Sequence, residues 1–230
     1  MPPKITHLSS TLLTGQSNTH IYWLNDFTGI HTQVKKPWLA LQKAANLAGF
    51  DLQIVSGFRH FDRQLMLWNK KYQQQLPVKD KNNEIINLAQ LTDDEKVTAI
   101  LLYTALPGAS RHHWGTDLDL YATNLLPKNK SLQLEPWEYQ QGGYFAELTH
   151  WLTTHAPLYD FFQPYDKDRG GVAIEPWHFS YAPLAQQYQQ ALTLEQIEIT
   201  IKNSAICAKR AILNQLTNIY QRYIMNTRNL

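Results

Sequence analysis

The chain has 230 residues, of which 43% are apolar and 12% aromatic, enough for one full hydrophobic core. Its 21 basic and 19 acidic side chains leave a net charge of +2, dispersed rather than striped, which excludes nucleic acid as a partner on bulk charge. The single cysteine, Cys207, excludes an intramolecular disulfide and a thiolate-rich zinc site, so any metal must be held by histidine and carboxylate.

The opening MPPKITHLSS has no apolar stretch of signal-peptide length, and no run reaches the roughly 18 apolar residues of a membrane span. No export signal and no membrane span are therefore expected. Val34, Trp38, Leu41, Ala45 and Ala48 recur at helical spacing, with Pro37 near the start and Gly49 as the stop. The alternation in Asp51 to Phe58 predicts a short strand ending at Gly57. Phe61, Leu65, Trp68 and Tyr72 predict a second helix, which puts Arg59 at a strand–helix junction. The polar stretch around Lys79 to Asn87 reads as a loop. Thr92 and Glu95 form a capping box, and the helix they start should run through Val97, Ile100, Leu101 and Thr104 until Pro107 and Gly108 end it.

Asp117 to Tyr121 alternates carboxylate with leucine, so a strand there carries Asp117 and Asp119 on one face and Leu118 and Leu120 on the core face. A helix near Phe145 to His155 follows, then aromatic strands at Tyr159 to Phe162 and Trp177 to Tyr181. From Leu194 to Tyr223 a three-and-four stripe persists, predicting one long helix or two, packed on the same core or serving as an oligomer seam; Cys207 falls inside it as a small hydrophobe. The architecture is α+β, with one domain over residues 1–185 and a helical extension over 186–230.

Chemistry concentrates in two places. Ser110-Arg-His-His-Trp-Gly-Thr-Asp-Leu-Asp119 sets His112 and His113 in a loop before a strand with two carboxylates on one face, a costly arrangement unless a cation compensates. Glu175-Pro-Trp-His178 adds a third imidazole and a further carboxylate. Two imidazoles and one carboxylate leave a position on zinc open for water, and an uncoordinated carboxylate can take that water's proton. On strand geometry alone either Asp117 or Asp119 could reach the metal, and His113 competes with His112 in the same way.

These residues resemble the VanY-type D-alanyl-D-alanine carboxypeptidases, a branch of the hedgehog-like zinc metallopeptidases. Ser110, His112, Gly115 and Asp119 fit the family's SxHxxGxxxD pattern, and Glu175, Trp177 and His178 fit ExWH. Ser56-Gly57-Phe58-Arg59 with Gln64 fits SGYRxxxxQ, with Phe58 where tyrosine is common. The resemblance implies a small central antiparallel sheet with flanking helices and one zinc ion held by His112, Asp119 and His178. It further implies Glu175 as general base, Arg59 steadying the oxyanion, and Ser110, Gln64 and Trp177 contacting substrate. Its implied partners are peptidoglycan stem peptides or their precursors; that substrate class points to the cell envelope and the missing signal to the cytoplasm, so the sequence leaves the compartment open. Asp117 stands where the family has a small residue, and family spacing favours Asp119 as the ligand, leaving Asp117 and His113 beside the metal shell or in solvent. The rival readings are an endopeptidase cutting an L-Ala-D-Glu bond, a zinc-containing binding module without catalysis, and a non-haem iron oxygenase. The last is disfavoured because neither His112 nor His113 has an acid two residues on.

Overall fold

The computed structural model describes residues 8–228. A short helix α1 (Ser10–Leu13) precedes a hairpin of β1 (Ile21–Trp23) and β2 (Gly29–His31), and α2 (Lys35–Leu47) follows it. Next come β3 (Leu52–Ser56), α3 (Phe61–Tyr72), α4 (Asp93–Leu101) and β4 (Asp117–Ala122). The chain continues through α5 (Pro136–Tyr139), α6 (Ala146–His155), β5 (Phe161–Phe162) and β6 (His178–Tyr181). It closes with α7 (Ala182–Ala191), α8 (Leu194–Lys202), α9 (Lys209–Asn214) and α10 (Leu216–Ile219). No helix among the described residues is long and apolar enough to cross a membrane.

The main sheet is antiparallel, ordered β3-β4-β6-β5. Its register positions the chemistry: Asp119 lies opposite His178 on one side and Ser56 on the other, and Asp117 lies opposite Ser180. Directly paired residues project from the same face, so one face of β4 gathers both carboxylates with the β6 imidazole. The other face carries Leu118 and Leu120, fully buried in a core shared with Trp38 and Leu41 of α2, Trp68 of α3 and Phe145. The expected two-faced strand is thus present. β6 begins only at His178, so the N–H that Pro176 lacks falls outside the ladder.

The small hairpin was not foreseen, since each of its strands spans too few residues to show a period. It closes over the turn after β3, where Phe58 donates its N–H to the Gly29 carbonyl. A Cβ at position 57 would lie 2.3 Å from that carbonyl oxygen, so only glycine fits there. Gly115 is constrained twice, by φ +68° and by a Cβ position 2.7 Å from the His31 nitrogen.

Two helix expectations need correction. The capping box at Thr92 and Glu95 is formed, but α4 ends at Leu101 rather than running on to Thr104. The Leu102 carbonyl accepts from Ala173 N–H and the Ala105 carbonyl from Gln64, so tertiary partners claim the backbone that a further helical turn would use. The C-terminal stripe is likewise divided among α8, α9 and α10. Asn203 and Ser204 end α8, Ala208 adopts φ +57° before α9, and Cys207 lies half-buried in the intervening turn, its N–H held by Asn69. Ile197, Ile201, Ile212, Leu216 and Ile219 are buried against the chain's own core.

Candidate metal centre and catalytic cleft

His112 sits in a 3-10 turn, Arg111–Trp114, immediately before β4. Its Nδ1 faces the Gly57 carbonyl at 2.9 Å, so an Nδ1–H donates there and the Nε2 lone pair turns toward Asp119 Oδ2, 3.3 Å away. His178 is oriented from the opposite side. Its Nε2–H donates to Asp117 Oδ1 at 2.9 Å, leaving Nδ1 directed at Asp119 Oδ1 (3.3 Å) and Glu175 Oε2 (3.2 Å). One ligand atom each from His112, Asp119 and His178 lies within 4.8 Å of the others, and all three residues are buried. Imidazoles fixed by hydrogen bonds through the second ring nitrogen are what a metal site needs.

The donor set fits a divalent cation on two observations. Asp119 Oδ1 is buried without a hydrogen-bond partner, an orphaned acceptor aimed at the same space as two imidazole lone pairs. The site also holds three buried carboxylates, Asp117, Asp119 and Glu175, against the guanidiniums of Arg59 and Arg111. Without further positive charge the balance falls on His178: burial opposes its protonation, but the hydrogen bond with Asp117 and the nearby carboxylates of Asp119 and Glu175 hold its pKa well above the ordinary value, the place a bound cation would take. Asp119 is held far below the usual carboxylate range although burial alone would raise it, because His112 and His178 favour its anion.

Asp117 is engaged on both oxygens by other partners. Burial would raise its pKa, but the Arg111 guanidinium overrides this, donating from Nε at 2.8 Å, and Thr116 and Ser180 hydroxyls satisfy Oδ2. Arg111 in turn donates to Ser180 Oγ and to Gln189 Oε1. This network was missed in the sequence, although the residues Arg111 and Asp117, six apart, carry complementary charge. Gln189 on α7 is tied to the C-terminal residues through Thr227 Oγ1 at 3.1 Å, so the extension reaches the metal site by way of Arg111, Asp117 and His178.

His113 faces away from the metal group. Its Nδ1 is 2.6 Å from the Arg59 carbonyl and its Nε2 accepts from Gly108 N–H, which fixes the loop that carries Arg59. Burial pushes its pKa down to about 3, and burial likewise lowers His20 and His31 to about 4. All three lie below the ordinary histidine value of 6.5, so the unfolded chain binds more protons than the native one between pH 6.5 and about 4. Their stabilising contribution is complete above pH 6.5 and is lost as pH falls through that window. Urea midpoints should therefore fall steeply from pH 6.5 to 4.5, and a flat profile would contradict the buried neutral state of these imidazoles.

Arg59 extends from the junction after β3 and is clamped by Gln64 Oε1 at 2.9 Å and Ser56 Oγ at 2.8 Å, with Nη2 3.9 Å from Asp119. Burial pulls its pKa down while Asp119 and Glu175 oppose this. Gln64 was expected to touch substrate; it is instead fully buried and bridges Arg59 to the Ala105 carbonyl, so both ends of its amide are engaged. Ser110, Trp177, Glu175, Arg59 and the three metal-group residues line one cleft of about 400 Å³. Ser110 Oγ is buried there without a partner, and Tyr165 presents its ring to His178 at 5.1 Å between centroids.

The chain is 41% identical over 122 residues to an uncharacterized protein of Haemophilus influenzae strain Rd, covering 52% of this chain and 93% of that one. A second uncharacterized protein of the same strain is 38% identical over 105 residues, covering 43% of this chain and 70% of the other. Among solved structures, VanYB in complex with D-alanine-D-alanine superposes with a TM-score of 0.54 at 19% identity, covering 82% of this chain and 91% of that one. A mutant of the vancomycin-resistance D,D-pentapeptidase VanY in complex with Zn(II) gives 0.51 at 22% identity, covering 79% and 92%. These likenesses establish a shared fold. The family model for VanY, D-alanyl-D-alanine carboxypeptidase, matches residues 28–184, a span holding both strands of the metal group and the Arg59 junction, and the chain is a member of that family.

Proposed function

We propose that the protein is a zinc metallopeptidase of peptidoglycan stem peptides, and specifically a D-alanyl-D-alanine carboxypeptidase. The observation that carries this reading is the orphaned, buried Asp119 Oδ1 between two pre-oriented imidazoles, with the Glu175 carboxylate 3.2 Å from one of them and opening on the same cleft. His112, Asp119 and His178 would hold one zinc ion, which when bound supplies a water of lowered pKa and polarises the scissile carbonyl.

The chain's own residues account for the remaining requirements. Glu175, opening on the same cleft 3.2 Å from His178 Nδ1, would accept a proton from the attacking water and return it to the departing amine. Arg59, pinned by Ser56 and Gln64, presents a fixed guanidinium where negative charge develops on the carbonyl oxygen, at no reorganisation cost. Asp117 keeps the His178 Nε2–H engaged and so holds its Nδ1 on the metal side. Trp177, buried against Tyr139, forms a wall of the cleft, and Ser110 offers an unpaired hydroxyl to a bound peptide. With such substrates the site of action would be the cell envelope.

The test is to incubate metal-replete protein with a pentapeptide-ended wall fragment and identify the products by mass. Loss of one terminal alanine, abolished by chelation and restored by zinc, is the expected result. An internal cut would replace the carboxypeptidase reading with an endopeptidase one, and no cut by metal-replete protein would overturn the peptidase reading.

A further inference from the structure

Among the described residues lining the cleft, Lys71 is a cation that the proposed chemistry does not use and that no carboxylate pairs. Lys71 lies two helical turns beyond Gln64 on α3, and a spacing of seven at 3.6 residues per turn puts both on nearly the same face. Both reach the segment after α4. Gln64 donates to the Ala105 carbonyl at 2.7 Å, and Lys71 Nζ donates to Thr104 Oγ1 at 2.5 Å. Helical side chains lean toward the N-terminus, which carries the ammonium back along α3 toward Arg59.

The other basic side chains lining the cleft have counter-ions. Arg111 pairs with Asp117 and Lys79 with Glu135, while Arg59 faces Asp119. Among the described residues no carboxylate stands within ion-pair distance of Lys71, and the Thr104 hydroxyl is the hydrogen-bond partner the structure gives it. An ammonium withdrawn from water against a neutral hydroxyl is poorly compensated. Burial accordingly lowers its pKa to about 8, although Glu175 pulls the other way. Arg59 also lowers it, and the influence of both groups places Lys71 in the same electrostatic neighbourhood as the proposed reaction centre.

Thr104 completes the arrangement. Its oxygen accepts from Lys71, so its own O–H is free to donate, and the residue is 7% exposed at the cleft wall. The buried, unpartnered Ser110 hydroxyl lines the same cleft. A cation without a counter-ion beside hydroxyls with unused donors is what an anionic group needs on leaving water, and the charge-assisted hydrogen bonds it would form are the stronger kind.

We propose that Lys71, together with Thr104, anchors a carboxylate of the peptide substrate. This rests on the peptidase reading above and deepens it, because an anchor for the free terminal carboxylate would restrict cleavage to the last bond of a chain. Stem peptides also carry side-chain carboxylates, which offer the same chemistry from a second source.

The experiment compares wild-type, Lys71→Met, Lys71→Arg and Thr104→Val proteins on diacetyl-L-lysyl-D-alanyl-D-alanine, whose sole carboxylate is terminal, and on its C-terminal amide. A third substrate is a stem pentapeptide, with and without amidation of its glutamyl carboxylate. Binding of each peptide to metal-replete protein is measured by calorimetry alongside turnover. Lys71→Met should raise KM or Kd for the free acid by about 30-fold, the range of a charged hydrogen bond, with kcat within a few-fold. Lys71→Arg should restore most of the affinity, Thr104→Val should weaken it by several-fold, and the preference for acid over amide should vanish in Lys71→Met. A loss that instead follows amidation of the glutamyl group would support the anchor and assign the other carboxylate to it. Equal affinity of wild-type and Lys71→Met for the acids, or equal loss for acids and amides, would overturn the anchor. Absence of turnover by wild-type would overturn the peptidase reading alone, since the binding comparison still decides the anchor.

Discussion

Replacing Glu175 by glutamine is expected to lower kcat by about 10³-fold, within the range for losing a general acid–base group, while zinc stays bound. The substitution removes a proton acceptor and keeps the shape. Glu175 enters the cleft through a backbone N–H held by the Tyr165 carbonyl, and its Oε2 is 3.2 Å from His178 Nδ1. In kinetic terms this is about 4 kcal/mol of transition-state stabilisation, at 1.36 kcal/mol per tenfold. Zinc content after dialysis and peptide affinity should be close to wild-type. If the variant instead lost its metal in proportion to its activity, Glu175 would be a ligand rather than the base.

A second large effect is expected at Asp117. Asp117→Ala removes a carboxylate that neutralises Arg111, accepts from two hydroxyls and fixes the His178 ring. Breaking a buried ion pair from one side costs about 3–5 kcal/mol, because the remaining charge is left without compensation. The protein should unfold at clearly lower urea, and zinc affinity by chelator competition should fall about 10–100-fold from loss of the partner that orients the imidazole. The Arg111→Met, Asp117→Ala double variant should recover part of the stability but not the zinc affinity. An additive double variant would show that the two side chains do not act as a pair.

Much of this site is legible in the sequence, for a physical reason. A strand imposes period two, so Asp117-Leu-Asp119-Leu declared two carboxylates on one face and a core on the other. The cleft residues Ser110, Glu175 and Trp177 lie in segments adjacent to β4 and β6, where motif spacing and geometry coincide. Partners distant in sequence were invisible. Nothing local announces that Gln64 would hold the Ala105 carbonyl, or that Gln189 would meet Arg111. Helix ends decided by tertiary hydrogen bonds, such as that of α4 at Leu101, were overrun for the same reason. The C-terminal stripe gave the right face but not the breaks, since an αL residue at Ala208 leaves no mark in apolar periodicity.

The brace formed by the last residues bears on when the molecule becomes competent. Asn226 donates to the Arg169 carbonyl, Arg228 N–H to the Pro164 carbonyl, and Gly171 is packed so closely against the Arg222 carbonyl that no side chain would fit. The loop so held runs into Glu175, while Thr227 holds Gln189 beneath Arg111. Every residue of the metal group has been synthesised some 50 positions before these contacts can form, at roughly 5–20 residues per second. A chain extended only as far as His178 therefore carries the metal group without the contacts that brace Arg111 and the loop leading into Glu175.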